Sequence, residues 1–432
     1  MIIPIQTITL RQNAWFGDNQ IVLDFPAGWK VSLIGDQPIP ALTSPEILSK
    51  IQQPIQSSSL EDLAKGKRSA LILVDDLSRP TPIDQLLPHI LSELRKGGLD
   101  PQAVTLLVCG GTHPPISTAE MARKLGNMDI KSIRWAAHDS HANLVDLGQT
   151  PAGIPVQIDH LVMKSDLKIG LGCIYPHPAA GFSGGAKILA PGAAGYHTIR
   201  ALHDQTRTAR QRGGGIRTEF RQQIQSIAEM VGLDFVVNVT LNQDRAICGV
   251  YAGQHQAAFE KGAADARRLY AVNPLPAADI VITDLYPFDI DFQIAMDRGF
   301  WPFDFCSQHA SRVVLASCPM GMGGHELFPV THSFTTRLVR RLKNFRLADL
   351  LTLPDRLRAM RRMLIKKQLR AYVLSKHLIE NDLHNALPRT IVHNHWKEVM
   401  DRLTHDHPSN QPISVAIYRC APLMIATGGP TE

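Results

Sequence analysis

The sequence predicts an α/β protein made of two α/β domains with largely parallel sheets. Three observations carry this. The chain has 432 residues, against about 100–200 for an ordinary domain. From residue 70 onward, short apolar runs of strand character alternate with helical patterns, as strands joined by helical crossovers do. A proline-rich stop, Asn273-Pro274-Leu275-Pro276, then separates one such series from a second. Clustered prolines of this kind mark a break between elements. The expected domains are therefore residues 1–273 and 274–432.

The elements follow in order. Residues 1–30 have the pattern of antiparallel β structure on an edge. Ala70–Asp75, apolar up to its closing aspartate, reads as a buried strand. Asp84–Arg95 reads as a helix with Leu87, Ile90, Leu91 and Leu94 on one face. It stops at Lys96-Gly97-Gly98, where glycine can take the left-handed cap conformation. Val104–Cys109 is a second strand, Thr118–Leu125 a short helix and Leu167–Gly172 a third strand. Pro191-Gly192-Ala193 opens a helix through His203. The helix Arg221–Val231 leads into the strand Phe235–Thr240, and the helix Gln256–Leu269 runs to the proline stop. The second series has strands at Ile280–Asp284, Arg312–Ala316 and near Ser414–Tyr418, with basic helices before the last.

Composition narrows the function classes. A hydrophobic share of 44% with 19% charged residues can fill a core, which excludes a mainly disordered or fibrous chain. No run reaches the roughly 18 apolar residues of a membrane span. The first residues lack a basic region, apolar run and cleavage site, so the cytosol is the expected compartment. The six cysteines are scattered without a CxxC pair and read as reduced thiols, not a disulfide frame or zinc site. One tract accounts for the whole surplus behind the net charge of +6: between Arg337 and Arg370 lie twelve Lys or Arg and two acids. A nucleic-acid or membrane-surface binder is one reading of that tract. Solvated basic faces of amphipathic helices are the favoured one, since Leu357, Met360 and Leu364 fall at helical spacing and aromatics for base stacking are few.

In open parallel sheets, ligands sit beyond the carboxyl ends of the strands. Here three successive strands end in polar groups: Asp75-Asp76-Leu77-Ser78-Arg79-Pro80, Gly110-Gly111-Thr112-His113, and Tyr175-Pro176-His177. Two histidines, an acid pair and an arginine are thereby expected on one crevice. Gly181-Phe182-Ser183-Gly184-Gly185-Ala186-Lys187 follows. Its glycines would let backbone N–H groups approach an anion, although for the motif in isolation a flexible turn is the favoured reading. It is not a Walker loop, because Ala186 and Ile188 stand where glycine and a magnesium-binding Ser or Thr belong. Two further histidine pairs, His138 with His141 and His393 with His395, lack additional ligands at metal-site spacing.

Taken together, Asp76-x-x-Arg79-Pro80, Gly110-Gly111-Thr112-His113, Pro176-His177-x-x-Ala180-Gly181-x-Ser183-Gly184-Gly185-x-Lys187 and the later His203 resemble the nickel-pincer lactate racemase family. The resemblance implies racemisation or epimerisation of a small 2-hydroxy acid in a cleft between the two domains, with residues 1–273 as the catalytic and cofactor-binding domain. It implies a pyridinium mononucleotide with a thioamide and a thiocarboxylate, holding nickel through two sulfurs and a ring carbon and joined to Lys187. It makes His203 the protein ligand to nickel and His113 and His177 the acid/base pair. Asp76, Ser78 and Arg79 fall in the loop that holds cofactor or substrate. It also implies cofactor-maturation enzymes as partners and gives no reason to expect nucleic acid or membrane.

The residue types suit that chemistry. Removing hydride from a carbon needs an electrophile that no side chain supplies, so a cofactor must. Imidazole suits the accompanying proton transfer, with an unperturbed pKa of about 6.5, and imidazole nitrogen is a good nickel ligand. Arg79 has the two-pronged geometry for a carboxylate or phosphate. One segment departs from the family pattern. After Tyr286-Pro287-Phe288-Asp289-Ile290-Asp291, Gln293 is displaced by one position, and the lysine three residues on is replaced by Met296, Asp297 or Arg298, depending on register. Arg298 is the candidate substitute cation. A sugar acid or bulkier hydroxy acid therefore stands beside lactate as the expected substrate.

Overall fold

The computed structural model describes residues 5–205, 215–324, 326–327, 370–384, 387–408 and 412–427. The basic helices expected in residues 337–369 lie outside the described residues. Two compact units are present, one of residues 36–272 with 423–432, the other of residues 1–35 with 273–422. The expected N-terminal domain of residues 1–273 is corrected at its start, because residues 1–35 belong with the later part of the chain.

The reason is non-local pairing. β1 (Ile5–Gln12) and β2 (Asn19–Pro26) form the antiparallel hairpin expected from the sequence. Its inward residues Leu10, Leu23 and Phe25 bury against Ile282, Leu315, Val399 and Ile417. β3 (Lys30–Ile34) pairs in parallel with the strand Ser414–Tyr418. Full burial of each such side chain is worth about 1.5–3 kcal/mol, enough to carry the hairpin into that core.

In the 36–272 unit the six-stranded sheet includes β4 (Ala70–Val74), β5 (Val104–Val108) and β6 (Arg134–Ala137). β7 (Leu144–Gln149) and β8 (Pro155–Asp159) form a separate hairpin. β9 (Leu167–Cys173) returns to the main sheet, and β10 (Pro176–His177) and β11 (Gly181–Phe182) make a two-residue ladder beyond its end. β12 (Phe235–Leu241) and β13 (Ile247–Gly253) complete the sheet in the order β13-β12-β9-β4-β5-β6. All neighbours are parallel except β12 and β13. β4 is buried along its whole length, as a strand covered on both faces must be. Its carboxyl end lies between those of β9 and β5.

The expected helix from Pro191 starts only at Tyr196. Residues 192–195 spend their backbone groups elsewhere. Gly192 O accepts from Gly111 N–H at 2.9 Å, Ala193 O from Asp159 N–H at 3.0 Å, and Gly195 N–H donates to Gln157 O at 2.8 Å. These bonds tie the segment to β8 and to the loop after β5, and a helix there would break them.

The unit closes with β14 (Ala271–Val272), paired in parallel with the late residues Ile425–Ala426. The other unit holds a second sheet. Its strands β15 (Ile280–Asp284), β16 (Ser311–Leu315), β17 (Ala371–Leu374), β18 (Thr390–His393) and β19 (Ser414–Tyr418) join β3 in the order β18-β17-β16-β15-β19-β3, all parallel. No described helix is long and apolar enough to cross a membrane.

Candidate active site

The three loops beyond β4, β5 and β9 do converge. A pocket is lined by Asp76 and Arg79 from the first, His113 from the second, Tyr175 from the third, and Lys187 with Asn238. Ser78 adjoins it through Asp76. His177 and His203 fall outside its lining, and Gln293 and Arg298 belong to the other unit.

The β4 loop rests on a buried cation that the sequence reading missed. Lys124 closes the helix Thr118–Leu125 and is fully buried. Its Nζ donates to Asp75 Oδ1 at 2.6 Å, to Asp76 O at 3.0 Å and to Arg79 O at 2.9 Å. Thr81 Oγ1 donates to the other Asp75 oxygen. Burial pushes the Asp75 carboxyl up, against the pull of Lys124 and Thr81. Removing one partner of such a pair typically costs about 3–5 kcal/mol. Asp75, which also lines the pocket, is thus a foundation of the loop, and Asp76 is the acid paired with His113.

Asp76 Oδ2 lies 2.6 Å from His113 Nδ1, and Asp76 Oδ1 accepts Ser78 N–H at 3.0 Å and the Ser78 hydroxyl. Burial would raise the Asp76 carboxyl, but His113, Arg79 and Ser78 together hold it well below the usual carboxylate range. An ionised carboxylate only accepts. The proton of a neutral His113 ring therefore sits on Nδ1, and the lone pair is on Nε2. Arg79 Nη1 donates to Ser78 Oγ at 2.7 Å and Ser78 O at 3.2 Å, which braces the same loop.

His177 is held in the opposite sense. Its Nδ1 accepts backbone N–H from Ala179 and from Ala180, each at 3.2 Å. A neutral ring so held carries its proton on Nε2 and presents a donor there. The two histidines, given by the family resemblance as an acid/base pair, are chemically unlike in this conformation. For His177 to present an Nε2 lone pair, the contacts to the Ala179–Ala180 turn must break.

Of the two readings of the glycine loop, the backbone bonds favour the turn. Ser183 N–H donates to Tyr175 O at 2.9 Å, Gly185 N–H to Asn238 Oδ1 at 2.9 Å and Lys187 N–H to Gly184 O at 3.4 Å. Those three donors are spent inside the protein and are not turned to an anion. The glycines serve close packing instead. Gly185 has φ +59°, and a Cβ there would stand 2.8 Å from Phe259 Cβ. On β9, a Cβ at Gly170 would stand 2.6 Å from Ile188 Cγ2. Glycine at both places lets the short helical turn Gly185–Ile188 sit directly on the sheet and deliver Lys187 to the pocket. From outside, Arg221 Nη1 donates to Gly184 O at 2.9 Å and Nη2 to Phe182 O, and its guanidinium stacks on Phe259 at 3.9 Å.

His203 lies on the helix Tyr196–Gln205, with Nδ1 donating to Ile199 O at 2.8 Å and its ring edge-on to Phe220. That bond puts the neutral ring's lone pair on Nε2, the arrangement typical of metal-binding histidines. Burial pushes the imidazole below its ordinary pKa, and the nearby Lys187 charge adds to this against the Ile199 carbonyl. His138 differs. Its Nδ1 lies 2.9 Å from Asp159 Oδ2 and its Nε2 2.9 Å from Ala194 O, so both nitrogens have protein partners. Among the described residues, no cluster of three or more His, Cys, Asp or Glu could hold a metal ion.

In the other unit, Gln293 and Arg298 lie on the helix Phe292–Gly299. Gln293 N–H donates to Met322 O at 3.2 Å. Arg298 is buried, with Nη1 donating to Ile294 O at 3.3 Å and its guanidinium 5.4 Å from the Phe288 ring centre. Sequence reasoning did not single out Cys109, Cys173, Tyr175 or Asn238 as site residues, yet all line the pocket. Burial pushes both thiols far above their ordinary pKa, so they stay protonated.

Comparison with known proteins is consistent with this architecture. The family model described as "Lactate racemase N-terminal domain" matches residues 16–214. A lactate racemase of Lactiplantibacillus plantarum is 30% identical over 296 residues, covering 66% of this chain and 69% of that one. A lactate racemase of Thermoanaerobacterium thermosaccharolyticum is 28% identical over 324 residues, covering 72% and 76%. The solved lactate racemase apoprotein from Thermoanaerobacterium thermosaccharolyticum superposes with TM-score 0.74 at 23% identity, over 97% of this chain and 100% of that one. A Thermotoga maritima protein superposes with TM-score 0.60 at 14% identity, over 90% and 100%.

Proposed function

Because the chain belongs to the lactate racemase family and is accordingly an isomerase, we propose that it interconverts the stereoisomers of a 2-hydroxy acid by reversible hydride removal. The observation that supports this best is the pocket joining Lys187 to the His113–Asp76 pair.

The residues fit the cofactor that the family resemblance implies. Lys187 reaches the pocket from a turn packed on the sheet, and Asn238 presents a buried donor beside it. His203 is oriented through Ile199 O. Lys187 would attach the nickel-bearing pyridinium nucleotide, and His203 would contribute one donor to the metal. That group supplies, when bound, the electrophilic ring carbon that accepts hydride. The chain's own part is proton handling and orientation. His113 takes the substrate hydroxyl proton at Nε2 as the carbonyl forms, and Asp76 stabilises the imidazolium through Nδ1–H. His177 would return a proton from Nε2 on the opposite side as an imidazolium, with Nδ1 also protonated. Its service as acid or base in either direction therefore requires the Ala179–Ala180 turn to release Nδ1. Arg79 would engage the substrate carboxylate or a cofactor phosphate.

The function is tested with protein made in its host or together with cofactor-maturation enzymes. A panel of single stereoisomers, containing lactate, larger 2-hydroxy acids and sugar acids, is followed by chiral analysis. The relatives named lactate racemase put lactate on the panel, and the departure at Met296, Asp297 and Arg298 puts the larger acids there. At least one acid is expected to reach its equilibrium mixture. Loaded protein that interconverts none of them contradicts the proposal.

A further inference from the structure

Asn238 stands within β12, only 2% exposed, on the wall of the pocket that holds Lys187. Its neighbours along the strand, Phe235, Val236, Val237 and Val239, are apolar and fully buried. One half of its carboxamide has a structural task, since Oδ1 accepts Gly185 N–H at 2.9 Å. A backbone N–H only donates, so oxygen must occupy that side and the amino group the other. That amino group, Nδ2, is buried and has no hydrogen-bond partner. A buried donor without an acceptor opposes folding. Tethering the loop accounts for Oδ1 and gives no reason for an NH2 beside the pocket.

We infer that Asn238 is a binding residue of this site, and that Nδ2 donates a hydrogen bond to an oxygen or sulfur acceptor of the group attached at Lys187. The inference rests on the reading of Lys187 as the attachment point. Gly185, which Asn238 holds, lies two residues before Lys187. The same carboxamide thereby positions the loop and contacts what the loop carries. Arg221 fixes the loop's carbonyls at Phe182 and Gly184, so the loop is held on both its donor and its acceptor groups. The orientation of Nδ2 is then preset before anything binds.

The test separates the two halves of the carboxamide. Asn238→Asp, studied at pH 8, keeps an acceptor for Gly185 N–H and removes the donor. Asn238→Leu keeps the approximate volume and removes both. Each variant and the wild type are produced with the cofactor-making enzymes. The readouts are the added mass on Lys187, its half-life on storage, the visible absorption of the loaded protein and the melting temperature of the unloaded protein. The expectation is an unloaded Asn238→Asp protein that folds but melts below wild type, because an ionised carboxylate is then buried in the strand. Once loaded, it should lose the added mass about tenfold faster, as the loss of one buried hydrogen bond would give, with a displaced absorption band. If Asn238→Asp does not fold, Asn238→Leu carries the same comparison. Wild-type half-life and absorption in the folded variants would overturn the inference and leave the reading of Lys187 intact. Wild-type protein with no added mass on Lys187 overturns both.

Discussion

His113→Ala should lower stereochemical interconversion by about 10²- to 10⁴-fold, the range for loss of a positioned acid/base group. The added mass on Lys187 and the nickel content should be unchanged, because His113 anchors neither. The size of the effect follows from the geometry at Asp76. That carboxylate lies 2.6 Å from Nδ1, which fixes the lone pair on Nε2 and stabilises the charged ring that proton uptake creates. Asp76→Asn should therefore also slow the reaction, since a carboxamide does not offset the imidazolium charge. The equilibrium between the isomers is fixed by their chemistry, so kcat/KM must fall by the same factor in both directions. Chiral kinetics from each pure isomer, with metal analysis on the same samples, give the result. Near-normal activity in His113→Ala would remove it from the reaction. Loss of nickel would reassign it as a ligand.

The second large effect is on metal. His203→Ala should lose nickel, and His138→Ala and His393→Ala should retain it per folded molecule. His203 is tethered by Nδ1 to the carbonyl one helical turn back, which makes Nε2 the unprotonated nitrogen of the neutral ring. His138 has a protein partner on each ring nitrogen, so its loss is felt in stability. His393 belongs to the other unit, 3.5 Å from Glu398. Nickel analysis of the three purified variants decides the matter. Equal nickel in all three would show that His203 is not the ligand.

Much of the scaffold was legible because parallel strands buried on both faces are continuous apolar runs. Ala70–Val74, Val104–Val108, Leu167–Cys173 and Ile280–Asp284 fall where those runs lie. The site loops were legible for a related reason: polar groups that follow such runs sit at strand ends. What escaped is what depends on distant partners. Nothing in Lys30–Ile34 states that it pairs with Ser414–Tyr418, so residues 1–35 were assigned to the wrong unit. Lys124 reads as a solvent-facing residue in the last turn of a helix, and only the fold brings it under Asp75. Ile247–Gly253 mixes glycine, cysteine and tyrosine with its apolar residues and gave no strand signal. Asn238 did leave a trace, as a single carboxamide in an otherwise apolar run with Thr240 as its one polar companion. The close packing of the glycines escaped because sequence shows where backbone is permissive, not which N–H groups are already bonded.

The central claim, that catalysis depends on a group carried by Lys187, is tested most directly by mass. Protein purified from its host, or made with the cofactor-maturation enzymes, is compared intact with Lys187→Ala produced in the same way. The account predicts that the active wild type exceeds its sequence mass, that peptide mapping puts the excess on Lys187, and that Lys187→Ala has the bare mass and no interconversion. Active wild-type protein with an unmodified Lys187 would contradict it.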